Sequence, residues 1–208
     1  VLKERKVVGF TSSVPGEGKS TLSGAFAYLV ALTGARVVLV DCDLRNPSLT
    51  RELAPQAKLG LLDVISGEVD LETALLHDEE SGLHFLPAVV STRLAHSNEV
   101  LASDATRALF ERLHRQFDYV VADFSPLAPI VDVRATSTLV DSYIYVVEWG
   151  ETSRDIVQRA LKSAPTVHHN ILGVVLNKAD MGSMSRYEGY SGGYYYNKRY
   201  GQYGYTTN

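Results

Sequence analysis

Cysteine is nearly absent: Cys42 stands alone among 208 residues, which excludes an intramolecular disulfide and fits a reducing compartment. Because Cys42 ends an apolar run, a buried and inert thiol is expected rather than a nucleophile. No stretch of about eighteen apolar residues occurs, so the chain is not expected to span a membrane by itself. Its start does not read as a signal peptide. Val1 stands where an initiating methionine would, which leads us to expect a piece trimmed from a longer protein, with upstream domains missing. Runs of positive charge are lacking as well. The formal net charge is −4, and Arg186, Lys198 and Arg199 against Glu188 leave the segment after Asp180 at +2 and the body at −6. A body of that sign argues against nucleic acid as the main partner, since backbone phosphates call for clustered Lys and Arg. None of the six histidines, the His168-His169 pair included, has a companion at metal-ligand spacing. A surface or core role is expected for them.

What the chain does have is an ordinary hydrophobic content of 45% and a length that suits one domain with its own core. β-favouring runs at residues 7–11, 36–41, 83–86, 119–123, 143–147 and 172–177 alternate with helical patterns. Such alternation means a mainly parallel sheet covered by helices on both faces. Val37-Val38-Leu39-Val40, Tyr119-Val120-Val121-Ala122 and Gly173-Val174-Val175-Leu176 are apolar on both faces, which predicts central strands. Val100, Leu101, Ala105, Ala108, Leu109, Leu113 and Phe117 place one helix over residues 99–117 against the sheet. Thr152 and Asp155 form a capping-box pattern ahead of a further helix that Pro165 closes. From Met181 the composition shifts to Gly, Ser and Tyr, and eight of the 12 tyrosines fall there: Tyr187, Tyr190, Tyr194, Tyr195, Tyr196, Tyr200, Tyr203 and Tyr205. No aliphatic period accompanies them, which predicts a flexible tail. The expected organisation is one α/β domain over residues 1–180 and a tyrosine-cluster tail over 181–208.

Residues 7–20, VVGFTSSVPGEGKS, organise the rest. A buried strand runs into a Gly- and Pro-rich turn, and from Lys19 the apolar positions Leu22, Ala25, Phe26, Leu29 and Val30 mark one face of a helix that stops near Gly34. A helix N-terminus offers unpaired N–H groups and a positive dipole end, which suit a phosphate. Gly16 and Gly18, lacking Cβ, let the loop of Pro15, Gly16, Glu17 and Gly18 curl around the anion. Lys19, in this exposed loop, is expected against the β- and γ-phosphates, Ser20 in a Mg²⁺ shell, and Thr21 near an α-phosphate. The match to G-x-x-x-x-G-K-[ST] is imperfect, because Ser13 holds the first glycine position.

Carboxylates at two strand ends complete the pattern. VVLVDCDLR ends in Asp41 and Asp43, two residues apart and so able to point to the same side. YVVADFSP ends in Asp123, similar to the aspartate that holds Mg²⁺ through water in phosphate-loop enzymes. In a parallel sheet that end is where ligands bind. Asn177-Lys178-Ala179-Asp180 spells the N-K-x-D by which GTPases read guanine, after the last apolar strand.

TSSVPGEGKST, LVDCDLRNPSL and FDYVVADFSP, followed by a C-terminal tyrosine cluster, resemble the bacterial tyrosine kinases that regulate capsule and exopolysaccharide production, and the likeness covers nearly the whole chain. The resemblance implies a phosphate-loop NTPase fold binding ATP and Mg²⁺. Lys19 and the loop amides would bind the phosphates; Ser20 and Asp123, with Asp43, would serve the metal; Asp41 and Asp43 would flank the γ-phosphate. Asp41 is the candidate to accept the tyrosine proton. Asn177 would contact adenine rather than guanine, and the tail tyrosines would be phosphorylated in trans on a neighbouring copy. It also implies a membrane polysaccharide co-polymerase domain or subunit as partner, holding the kinase at the cytoplasmic face of the membrane. Two departures stand out. Phe124-Ser125-Pro126 replaces the usual Thr-Pro-Pro after Asp123, and the E-x-x-R-x-x-R element used in assembling a ring oligomer lies upstream of where this chain begins, which leaves ring formation open. A switch ATPase of the septum-positioning and partition type shares the loop and sheet, but usually carries an extra lysine where this chain has Ser12 and Ser13. A non-enzymatic assembly regulator is the third reading, compatible with the first.

Overall fold

Three runs with almost nothing polar before their last residues, Val7–Ser12 (β1), Val37–Asp41 (β2) and Tyr119–Asp123 (β5), become the innermost strands of a seven-stranded sheet. The computed structural model describes residues 6–90, 97–128, 133, 136 and 138–180. The remaining strands are Leu76–His77 (β3), His84–Leu86 (β4), Ser142–Glu148 (β6) and Ile171–Asn177 (β7), in the order β3-β4-β2-β5-β1-β6-β7. All pairings are parallel except β3 with β4. The α/β, mainly parallel architecture expected from the alternation is therefore the one found. The two-residue β3 was not foreseen, being too short to show any period.

Among the described residues, the helices with defined bounds are Lys19–Ala31 (α1), Ser48–Leu53 (α2), Leu61–Ser66 (α3), Leu71–Ala74 (α4), Ser97–Ala102 (α5), Asp104–Gln116 (α6), Arg154–Ser163 (α7) and Pro165–His169 (α8). Alternate residues of the central strands feed two cores. Val38, Val40, Val120 and Ala122 pack with Leu101, Leu109 and Leu113, whereas Leu39, Val37, Val121 and Phe10 pack with Ala27, Ala31 and Leu49. Tyr143 and Tyr145 of β6 lie wholly inside, Tyr143 against Phe124 at 6.2 Å between ring centroids. Burial pushes both phenols up to about 12. Cys42 is buried, and burial pushes its thiol up as well. Among the described residues no helix is long and apolar enough to cross a membrane.

Four local expectations need correction. Of the foreseen face of α1, Leu22, Phe26 and Val30 do pack half-buried against the core, but the fully buried positions are Lys19, Ser23, Ala27 and Ala31, while Leu29 is 63% exposed and Ala25 also faces out. Small residues let this helix approach the sheet closely, and they carry little hydrophobic signal. The helix foreseen over residues 99–117 is two, because Ser103 accepts from Thr106 N and caps α6. Ser153, not Thr152, caps α7, and Pro165 both follows α7 and opens α8 at its first turn. Finally, β7 is an edge strand with Leu172, Val174 and Leu176 exposed. An edge strand that is apolar on both faces reads in sequence like a central one.

The chain divides into two units, Val1–Asn177 and Lys178–Asn208. Of the second only residues 178–180 are described, with Lys178 at a φ of 55°. The tail over 181–208 and its tyrosines 187, 190, 194, 195, 196, 200, 203 and 205 lie outside the described residues.

Close packing at β1 gives a test of the core. A Cβ on Gly9 would stand 2.8 and 2.9 Å from ring atoms of the buried Tyr143 and 3.0 Å from Phe124, whereas one on Gly173 would meet nothing within 4 Å. Gly9→Ala should destabilise by roughly 1–3 kcal/mol, or several degrees of melting temperature. Gly173→Ala should leave thermal unfolding unchanged or slightly raised, and equal melting curves for the two variants would refute this packing.

Candidate active site

The sheet brings the foreseen carboxylates together by register alone. Asp41 lies beside Asp123, and Asp123 beside Phe10 of β1, all at the C-terminal ends of parallel strands. The turn after β1 enters α1 through Gly18, whose φ of 90° is the left-handed region that favours glycine. A Cβ there would meet the amide nitrogen of Asn177 at 2.1 Å.

Lys19 is the first residue of α1 and is only 7% exposed. Its expected place in an exposed loop is therefore corrected: the carboxylates at the strand ends draw its ammonium inward. Lys19 Nζ lies 3.0 Å from Asp43 Oδ2 and 3.2 Å from Asp123 Oδ2, and donates to Ser20 Oγ at 3.1 Å. Burial works to lower the pKa of Lys19, but the charges of Asp123 and Asp43 overcome it and hold the ammonium above its ordinary value. Ser20 Oγ donates to Asp123 Oδ2 at 2.6 Å and accepts from Ser48 Oγ at 2.8 Å. Asp43 Oδ1 accepts from Asn46 N at 3.1 Å.

Asp41 has no exposed surface. Thr50 donates to its Oδ2 twice, from N at 2.9 Å and from Oγ1 at 2.7 Å, and Asp43 N donates to Oδ1 at 3.1 Å. Thr50 Oγ1 in turn accepts from Ala88 N at 2.7 Å. Burial raises the Asp41 pKa to about 7, with the Thr50 hydroxyl opposing and the Asp123 charge adding to the rise. Asp123 is also pushed up by burial, against the pull of Lys19. Its Oδ1 has no hydrogen-bond partner among the described residues. A buried carboxylate oxygen left over beside a serine hydroxyl is a hard-oxygen donor set that fits Mg²⁺.

The phosphate loop is fixed from beneath. Ser13, at the position of the motif's first glycine, is wholly buried and shares a 2.8 Å hydrogen bond with Tyr145 Oη. Pro15 and Gly16 are exposed, as is Thr21. Glu17 turns its side chain inward and is 1% exposed. The Phe124-Ser125-Pro126 departure leaves the Asp123 turn tied to the loop strand, since Phe124 N donates to Phe10 O and Thr11 Oγ1 to Ser125 O. Asn177 donates from Nδ2 to Glu17 O at 2.8 Å, which puts it against the phosphate loop. Ser48 and Thr50 were not foreseen, and Thr152 was foreseen only as a helix cap. Of the first two, only Ser48 had a local signal, as a serine after Pro47 at a helix start.

Residues 5–174 match the model of a family described as an AAA domain. The chain is similar to the succinoglycan biosynthesis transport protein ExoP of Rhizobium meliloti (strain 1021), with 40% identity over 96% of this chain but 26% of ExoP. It thus spans about a quarter of that relative. It is 31% identical to the tyrosine-protein kinase CpsD of Streptococcus pneumoniae over 92% of this chain and 83% of CpsD. The solved VpsO kinase domain superposes with a TM-score of 0.80 at 30% identity, covering 86% of this chain and 88% of that one.

Two stability tests follow from the buried charges. Lys19→Met leaves Asp43 and Asp123 without their cation and should cost about 3 kcal/mol in urea unfolding; a midpoint equal to wild type would contradict the ion-pair geometry. For Asp41, the folded pKa of about 7 lies above the unfolded value of about 3.9. Between these values the folded state binds more protons than the unfolded one. The contribution of Asp41 to stability is therefore full below about pH 4 and falls, by on the order of 3–4 kcal/mol in all, until pH passes the folded value. The melting temperature of Asp41→Asn relative to wild type should accordingly rise from pH 5 to pH 8. A difference that is flat across that range would remove the assignment.

Proposed function

Because this chain belongs to the AAA domain family and, within it, to the bacterial tyrosine kinases of capsule and exopolysaccharide production, we propose that it transfers the γ-phosphoryl group of ATP to tyrosines of its own C-terminal segment. Transfer runs in trans, from one copy to the tail of a neighbour. The observation that carries this reading is Asp41, a carboxyl group poised near neutrality at the same strand ends as the phosphate loop. A phenol has a pKa near 10, and a general base works best with a pKa close to the operating pH.

In the transfer the tyrosine oxygen bonds to the γ-phosphorus, the bond from that phosphorus to the β,γ-bridging oxygen breaks, and Asp41 takes the phenolic proton. Thr50 holds Oδ2 and the Asp43 amide holds Oδ1, which orients the carboxyl group. Lys19 leaves Asp43 and Asp123 for the phosphates, which uncovers both carboxylates. Ser20, Asp43 and Asp123 would hold Mg²⁺, which when bound neutralises charge on the phosphates. With one amide proton of Asn177 turned to Glu17 O, its carbonyl oxygen is the acceptor that suits the 6-amino group of adenine. Guanine carries an oxygen there. The cleft lined by Arg45, Pro47, Thr50, Arg51 and Ala88 adjoins Asp41 through Thr50 and is the entry for the acceptor segment.

Each phosphotyrosine adds about −1.5 to −2 charges at neutral pH. Three modified sites therefore reverse the +2 of the tail and turn attraction to the acidic body into repulsion, releasing the tail. We read this change as the signal to a membrane polysaccharide co-polymerase domain or subunit, at the cytoplasmic face of the membrane.

An Asp41→Asn chain that keeps its tail, mixed with an active chain ending at Asp180 and Mg-ATP, should gain phosphate in units of one phosphoryl group by intact mass. Labelling confined to full-length active chains, at a rate unchanged by dilution, would replace transfer in trans by transfer within one chain. In the wild-type protein kcat/KM should rise with pH through about 7, as Asp41 loses its proton. A flat profile from pH 5.5 to 8.5 would exclude Asp41 as the base.

A further inference from the structure

Glu17 occupies one of the variable positions of the phosphate loop, where the backbone rather than the side chain meets the nucleotide. Its carboxylate nevertheless makes three long-range or loop-closing contacts. Oε2 accepts from Val14 N at 2.8 Å, within the loop. Oε1 accepts from Glu148 N at 3.0 Å, at the end of β6, and from Thr152 Oγ1 at 2.6 Å, in the turn before α7. Its main-chain carbonyl accepts from Asn177 Nδ2 at 2.8 Å, and Trp149 N donates to Asn177 O at 2.9 Å. One residue therefore ties the phosphate loop to the ends of β6 and β7. Asn177, at the end of β7, is the residue read above as the adenine contact, and its main-chain carbonyl oxygen accepts from Trp149 N at the end of β6.

We propose that Glu17 is a positioning residue that makes base recognition and phosphate binding a single event. The argument is geometric. Loop amides can aim at phosphates only if the curvature of the loop is held from behind, and Glu17 holds it by accepting the Val14 N–H. The same carboxylate grips the turn over residues 148–152, and Asn177 is gripped by the adjoining carbonyl. A purine that fixes Asn177 thereby holds both the Glu17 carbonyl and, through Trp149 N, this turn, and a ligand without a base leaves the loop to close alone. This rests on reading the site as a nucleotide site, but not on the transfer of phosphate.

Two substitutions separate the tie from plain structural support. Glu17→Gln keeps size and shape but presents an amide nitrogen where an acceptor is required, against either Val14 N or the Glu148–Thr152 side. Thr152→Val removes one hydrogen bond at the far end of the tie and leaves the loop sequence intact. The measurement is the ratio of the dissociation constants of magnesium pyrophosphate and Mg-ADP, by calorimetry on the whole chain. That ratio isolates what the nucleoside adds to the shared diphosphate. In Glu17→Gln it should fall about tenfold, as loss of a hydrogen bond to a carboxylate predicts. In Thr152→Val it should fall in the same direction by a smaller factor. A merely structural Glu17 lowers the melting temperature and leaves the ratio alone. If both ratios match wild type, or if Thr152→Val matches wild type when Glu17→Gln fails to fold, the proposal is overturned. The ratio is read without catalysis, so a protein that binds Mg-ADP but forms no phosphotyrosine would overturn the kinase reading separately.

Discussion

One ammonium group shared by two carboxylates governs this site. Lys19, Asp43 and Asp123 come from the start of α1, the turn after β2 and the end of β5, and their side chains are all but removed from water. Isolated, any of these charges would be expensive to bury; together they hold three elements at one point. The balance is still negative, because Asp41 lies beside Asp123 with no exposed surface. Burial above all, with the charge of Asp123 adding to it, holds the proton on Asp41 up to about pH 7.

The loop above this cluster departs from its motif without losing its shape. Where the motif has a glycine, Ser13 finds a buried partner in Tyr145, and the loop is closed from beneath by Glu17. The support comes from β6, the strand that also fills the space over Gly9 with Tyr143. The loop is thus anchored in the core through Ser13 and closed on itself through Glu17.

How much of this was legible in the sequence depends on how local each signal is. β2 and β5 were legible because a strand buried on both faces is a continuous apolar run. The same rule misread β7, whose Val174 and Leu176 are as aliphatic as those of a central strand yet stand exposed at the edge. α1 was placed correctly, with Leu22, Phe26 and Val30 on the core as foreseen, but the centre of its buried face was missed, since Ser23 and Ala27 pack by being small. In the site, Lys19, Ser20, Asp41, Asp43 and Asp123 were visible as motif and strand-end residues. Thr50 was not, and Thr152 was read only as a helix cap: Thr152 meets Glu17 across 135 residues of chain, and a threonine in a turn carries no mark of so distant a partner.

The depth of Tyr143 and Tyr145 bears on how covalent modification of this protein is read. Both have no exposed surface, and their hydroxyls are engaged by Thr136 and Ser13. A kinase that meets a folded copy cannot reach either oxygen. In a mass-spectrometric map, phosphate on the peptide spanning β6 would therefore mark denatured material and not signalling. An unlabelled β6 peptide is an internal control, present in every digest, that the labelled population was native.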